Sequence, residues 1–236
     1  MTTDDAAPGP VLERHELLPG VVYERRDGSI AVRLAEPWQV LSSAVLGGGR
    51  RHARVVLNLQ VPLTYRSERP EQDLREAVRS LGLAGPVVGL MTTVDLAETQ
   101  VFAGQVGETA VRAVITAGLR NASRPCDPAA DAPGTINAIF FCAAVLRDPA
   151  AVELALLVAE AKAAAMVESG IVTPSGRRAS GTCTDAVAIL WRRTHGPELR
   201  HAGAATPLGQ LAGRIMTSAV EAALARAGAR TAGEHP

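Results

Sequence analysis

Lysine is nearly missing from this chain: among its 24 Lys and Arg residues, Lys162 is the one lysine. Aromatic residues are scarce too, at 3% of 236 positions, so the core has to be built from Ala, Val, Leu and Ile. Neither sign of charge is in surplus, with 24 basic and 24 acidic side chains, so no basic footprint marks a binder of nucleic acid or anionic membranes. The three cysteines, Cys126, Cys142 and Cys183, show no C-x-x-C spacing and no paired histidine motif. That argues against a zinc site or a disulfide framework and for a reduced, cytoplasmic setting. No apolar run is long enough to span a bilayer, and the opening MTTDDAAPGP is acidic and Pro-containing, unlike a secretory leader. The Gly-Lys-Ser/Thr of a P-loop, a G-x-G-x-x-G after a strand, G-x-S-x-G and H-E-x-x-H are all missing as well.

What is there reads as grouped strands with a few helices. SIAVRL, QVLSSAVL, ARVVLNLQV, PVVGLMTTVD, TAVRAVITAG, TINAIFFCAAV and GTCTDAVAILW are expected strands, apolar and β-branched. PEQDLREAVRSLG is an amphipathic helix with Leu74, Ala77, Val78 and Leu81 on one side and Gly82 as its stop. A last helix starts at Thr206 and Pro207, carries Leu208, Leu211, Ala212, Ile215 and Ala219 at helical spacing, and is expected to end at Gly228. SRPCDPAADAPG is a loop by composition. Strands in groups, without strict alternation with helices, predict an α+β fold with a mixed or largely antiparallel sheet packed with long Ala-rich helices. A single domain over residues 10–230 is expected, with loose tails at 1–9 and 231–236.

The lone lysine sits in VAEAKAAAM. Asp148 and Pro149 open that helix as N-cap and first residue, and Gly170 closes it. At about 100° per residue, Glu153, Glu160 and Glu168 share one arc and Lys162 lies roughly opposite, among Ala155, Val158, Ala159, Ala165 and Met166. A lysine on such an apolar stripe snorkels, pairs with a carboxylate, or lines a cavity. The helix pattern alone leaves these open.

Other polar stretches are candidates for a site. Ser42 and Ser43 precede the turn Gly47, Gly48, Gly49, where backbone amides can approach a ligand or the chain simply turns tightly. Thr135 and Asn137 open one apolar strand, and Thr182, Thr184 and Asp185 open another beside Gly181. Alternation puts Thr182 and Thr184 on one face and Cys183 and Asp185 on the other, unless Gly181 introduces an irregular turn. Asp185, entering a buried strand, wants a cationic partner such as Lys162 or an arginine. Asp95 ends its own strand in a similar way, and His195 and His201 lie in an arginine-rich loop of the solvated kind.

Taken together, VLSSAVLGGG from Val40, VGLMTTVD from Val88, GTINAI from Gly134, EAK from Glu160, SGTCTDAV from Ser180 and TPLGQLAG from Thr206 resemble the adenosylcobinamide amidohydrolase family, in the family's order and across roughly Gly28 to Ala225. Two departures stand out: the family often has Thr where this chain has Ala159, which would remove a hydroxyl from the site, and Thr where it has Ser180, which keeps one. The resemblance implies hydrolysis of the amide between the corrin propionyl side chain and aminopropanol, giving adenosylcobyric acid and 1-amino-2-propanol in cobamide salvage. A corrinoid small molecule is then the partner. Its cobalt arrives in the substrate, so no metal or cofactor of the protein's own is expected. Amide hydrolysis needs a base, oxyanion donors and an acid for the leaving amine. Asp185 or Glu160 is the expected base, and Lys162 the expected cation at the oxyanion or amine. Ser42, Ser43, Gly47, Gly48, Gly49, Asp95, Asn137, Thr182 and Thr184 are expected to bind the substrate. Glu160 and Lys162, two apart on a helix, should not face one pocket. A non-catalytic corrinoid-binding protein on the same scaffold is the alternative.

Overall fold

A computed structural model describes residues 9–128 and 134–233. In chain order the elements are β1 (Val11–Leu18), β2 (Val21–Arg26), β3 (Ser29–Ser42), β4 (Gly49–Gln60), α1 (Pro70–Ser80), β5 (Val87–Thr92), β6 (Gln100–Val106), β7 (Thr109–Ala117), β8 (Ala122–Ser123), β9 (Ile136–Cys142), β10 (Val145–Leu146), α2 (Asp148–Glu168), β11 (Gly181–Thr182), β12 (Ala186–Trp191), β13 (Glu198–Leu199) and α3 (Pro207–Gly233). A mixed sheet runs β1-β2-β3-β12-β9-β7-β6, and β4 and β5 extend from β3 as a second arm. Among the described residues, the parallel ladders of this sheet are β4 with β5 and β9 with β12, and its other ladders are antiparallel. The fold is α+β and mostly sheet.

Every residue of β9 is buried, because both faces of the sheet are covered there. Phe140, with Ile115 of β7 and Ile189 of β12, packs under α2 and α3 against Leu154 and Met216. Ile139 and Phe141 point the other way, to a cluster with Trp38, Val114 and Leu190 inside the curl of the sheet. Such strands read as unbroken apolar runs, which is why TINAIFFC stands out in the sequence.

Several expectations change. The two strands expected at SIAVRL and QVLSSAVL are one, β3, whose register to β4 shifts between Arg33 and Trp38. The exposed residues Ala35 and Glu36 fall in that interval and break the apolar pattern while the chain stays extended. β1, β2 and β6 go unannounced: β1 is charged and exposed over its first six residues, and Gln and Gly blur the alternation of β6. Asp148 is the first residue of α2, with Arg147 in the cap position. There its carboxylate meets Arg50 at 2.8 Å and opposes the helix dipole. Gly170 (φ 78°) and Gly82 (φ 59°) take the left-handed conformation just beyond their helices, as expected of stops. Gly228 does not end the last helix, which runs on to Gly233, so residues 231–233 of the expected tail are helical. The backbone at 228 stays helical because a single Gly costs a helix only about 1 kcal/mol. Residues 1–8, 129–133 and 234–236, which hold most of the first expected tail, half of the last and part of the expected loop, lie outside the described residues.

Candidate active site

The site lies where one end of the sheet opens. The C-terminal ends of β4, β5 and β7 and the N-terminal starts of β9 and β12 meet there, as the pairings Gln60 with Thr92, Thr116 with Asn137 and Asn137 with Ala186 require. β5 and β9 approach without a backbone ladder, and side chains join them. Asn137 Nδ2 donates to the Met91 carbonyl at 2.8 Å and to Asn58 Oδ1 at 2.9 Å. Asn58 Nδ2 in turn donates to Thr116 Oγ1 at 3.1 Å. All three are 1% exposed, and a polar chain this deep is stable because its members satisfy one another.

Above this floor are two adjoining hollows. The larger, about 660 Å³, has Gln60, Asp95, Arg120 and Arg226 in its wall. The smaller, about 370 Å³, has Tyr65, Asn121, Asn137, Cys183 and Thr184. Val61, Thr93 and Gly134 line both, so the two form one cleft. In the larger, burial pulls the Arg226 guanidinium below its ordinary pKa, and Glu98 Oε2 stands 3.5 Å from its Nε. In the smaller, burial first and then the bond to Asp73 Oδ2 (2.6 Å) push the Tyr65 phenol up, so it stays a donor.

The turn from Thr182 to Asp185 is the most constrained part of the wall. Asp185 Oδ1 accepts from the Ile136 N–H at 3.0 Å and from the Thr182 hydroxyl. Its Oδ2 accepts from the Thr182 N–H at 3.0 Å and from the Lys162 ammonium. The structure thus joins the lone lysine to this carboxylate, with side chains 16% and 11% exposed. Gly181 makes room: a Cβ there would stand 2.4 Å from Asp185 Oδ2 and 2.6 Å from Lys162 Nζ. Four donors occupy the roughly four lone-pair directions of an ionised carboxylate. Asp185 therefore anchors the turn, and neither it nor Lys162 is among the residues lining the hollows.

The other candidates separate. Glu160 is exposed on α2, away from the cleft, as is Ala159, so the hydroxyl missing at 159 takes nothing from the site. Thr182 and Thr184 do not share a face, because residues 183 and 184 form a turn: Thr182 folds onto Asp185, while Cys183 and Thr184 line the smaller hollow. Thr184 Oγ1 donates to the Gly134 carbonyl at 3.0 Å, and its own carbonyl accepts from Thr135 Oγ1 at 2.8 Å. Ser42 Oγ and Ser43 Oγ tie their segment to the Val187 backbone at 3.0 and 3.1 Å. The glycine turn is close-packed: a Cβ on Gly47 would lie 2.3 Å from the Val87 carbonyl oxygen, and one on Gly48 2.5 Å from that of Ala44. Gly47 and Gly48 are thus packed into the turn, Gly49 (φ 84°) is exposed with open space where a Cβ would stand, and the neighbouring Val45 reaches the cleft. Asp95 lines the larger hollow, with Oδ1 capping a short 3₁₀ turn through the Ala97 N–H at 2.9 Å. His195 and His201 are exposed and outside the cleft.

Sequence reasoning missed Asn58, Thr116 and Asn121. The first two are single polar residues inside apolar strands, a signal available from ARVVLNLQV and AVITAG. Asn121 follows an arginine in a loop, with nothing local to mark it.

Among the described residues, no three His, Cys, Asp or Glu side chains gather as a metal site needs, and no helix is long and apolar enough to cross a membrane. The model of the adenosylcobinamide amidohydrolase family matches residues 16–232. A relative from Methanosarcina mazei, named adenosylcobinamide amidohydrolase, is 30% identical over 190 residues, covering 77% of this chain and 88% of that protein. A crystal structure of a protein from Pyrococcus horikoshii OT3 overlays 91% of this chain and 82% of its own at a TM-score of 0.45 and 9% identity. Matched by the family model from residue 16 to residue 232, through every strand of the cleft, the chain belongs to the adenosylcobinamide amidohydrolase family.

Proposed function

We propose that this protein hydrolyses the amide joining the corrin propionyl side chain to aminopropanol in adenosylcobinamide, giving adenosylcobyric acid and 1-amino-2-propanol for cobamide salvage. The observation that carries this reading is the two-part cleft. Pockets for drug-sized ligands run to roughly 300–1,000 Å³, and a corrinoid with its side arm is larger than most such ligands. Hollows of about 660 and 370 Å³ joined at Gly134 suit a ring and an arm respectively. Corrinoids carry carboxamides around their rim, and the polar residues of the walls are ones that pair with amides.

Of the two aspartates expected at the site, Asp95 is the one in the cleft wall, and water activation is assigned to it. Asp185 and Lys162 contribute by fixing the turn that presents Cys183 and Thr184. Mass spectrometry of adenosylcobinamide incubated with the protein tests the reading. Cobyric acid and free aminopropanol are the expected products, whereas binding without release would identify a corrinoid-binding protein instead. Asp95→Asn should lower kcat about 10²–10⁴-fold with the fold intact. Asp185→Asn should lower stability and rate together. Full turnover by Asp95→Asn would contradict the assignment.

A further inference from the structure

Of the described residues, Val61, Thr93 and Gly134 border both hollows, and among these three only Thr93 has a polar side chain. It stands where a chain leaving a ring in the larger hollow for the smaller one has to pass. The polar groups around it are committed to the protein. Thr135 and Thr184 donate to backbone carbonyls, Asn137 donates to Asn58 and Met91, and Tyr65 donates to Asp73. Thr92 Oγ1 accepts from the Val94 N–H at 3.1 Å, and Gln60 Oε1 from the Leu96 N–H at 3.4 Å. The Thr93 hydroxyl has no hydrogen-bond partner among the described residues. It is not sealed off either: the residue is half-buried, and its oxygen keeps accessible surface.

The end of β5 turns Thr93 and Asp95 the same way. Thr92 and Val94 are 1% and 7% exposed, whereas Thr93 is half-buried and Asp95 exposed, and both of the latter line the larger hollow. The segment is held without the Thr93 hydroxyl, because the Thr92 carbonyl accepts from the Val61 N–H at 2.8 Å and the Thr92 hydroxyl caps Val94. The hydroxyl is therefore fixed in place and free to donate. Two roles in amide hydrolysis are open to such a group, nucleophile and oxyanion donor. A nucleophilic threonine needs a base within hydrogen-bond reach. No described carboxylate accepts from Thr93, and Asp95 Oδ1 is engaged with the Ala97 N–H at 2.9 Å. An oxyanion donor needs only its own proton and a fixed position.

We propose that Thr93 is a catalytic residue whose hydroxyl donates to the carbonyl oxygen of the scissile amide as that oxygen becomes an oxyanion. This rests on the amidohydrolase reading above. With the ring in the larger hollow and the aminopropanol end in the smaller, the amide lies at the junction beside Thr93. Asp95 takes a proton from the attacking water and returns it to the leaving amine. The new C–O bond forms and the C–N bond breaks, while Thr93 keeps its own proton and makes no bond to carbon.

The test compares Thr93→Val and Thr93→Ser with the wild type, first confirmed to release aminopropanol. Thr93→Val keeps the shape and deletes the donor. It should lower kcat about 10²–10³-fold, the usual loss for one oxyanion donor, with KM little changed. Its melting temperature should equal that of the wild type, since the hydroxyl bonds nothing in the protein. Thr93→Ser keeps the donor and should retain most of the turnover. Should Thr93→Val not fold, Thr93→Ala, which only removes atoms, is measured in its place. Wild-type kcat in the Val or Ala variant would overturn the proposal while leaving the hydrolase reading standing, as would a rise in KM at unchanged kcat, the mark of a group that only holds substrate. A corrinoid acyl ester on Thr93, seen by mass spectrometry during turnover, would overturn it in favour of a nucleophile. No cleavage by the wild type would overturn both readings.

Discussion

Gly181 carries more of the site than its size indicates. A Cβ there would meet both members of the Lys162–Asp185 pair, so Gly181→Ala must push the ammonium off the carboxylate or shift the turn. Overpacking of this kind costs about 1–3 kcal/mol, and the turn that loosens is the one presenting Cys183 and Thr184. Lys162→Met keeps the stem and removes the charge, leaving Asp185 Oδ2 one donor short at a site only 11% exposed. A comparable loss of about 1–3 kcal/mol is expected. Both variants should therefore show lower denaturant midpoints and lower turnover, falling together. If Lys162→Met kept its stability but lost turnover, the lysine would be acting on the substrate and not on the turn. Its position was legible in the sequence because one cation sat on the apolar side of a helix with clear stops. Its role was not, because the sequence does not show that Ile136 and Thr182 also converge on Asp185.

Among the elements, the buried ones were the readable ones. β5, β7, β9 and β12 are covered on both faces over most of their length, and apolar runs of β-branched residues have few other ways to fold. The edge strands β1 and β6 were not readable, since each has one flank open to water and its sequence is free to be polar. The start of α3 was legible through Thr206 and Pro207. The Thr206 hydroxyl accepts from the Gly209 N–H at 3.0 Å, satisfying one of the first-turn donors. Thr206→Ala should cost about 1 kcal/mol, in the usual range for a lost N-cap. Turnover should hardly change, because the α3 residues that reach the cleft, Ala223, Arg226 and Ala227, lie more than four turns further on. Urea unfolding followed beside an activity assay checks this, and an unchanged midpoint would mean the cap contributes nothing here.

For the molecule as a whole, the sheet's curl is what makes a site. It brings the β4–β5 arm over β9, where Asn58, Asn137 and Thr116 join parts of the chain 58 and 79 residues apart. No local pattern announces such a junction, so the cleft could be inferred from the sequence only through the resemblance of its motifs and not from their spacing. In the proposed function, a corrinoid lies across Gly134 with its ring in the larger hollow. Cobalt gives an anomalous X-ray signal that locates the ring centre without interpretation of the side chains. Crystals of the protein with bound cobinamide should show one cobalt peak in the hollow walled by Gln60, Asp95, Arg120 and Arg226. A peak on the Glu160 face of α2, or at any position outside the cleft, would contradict this placement of the ring.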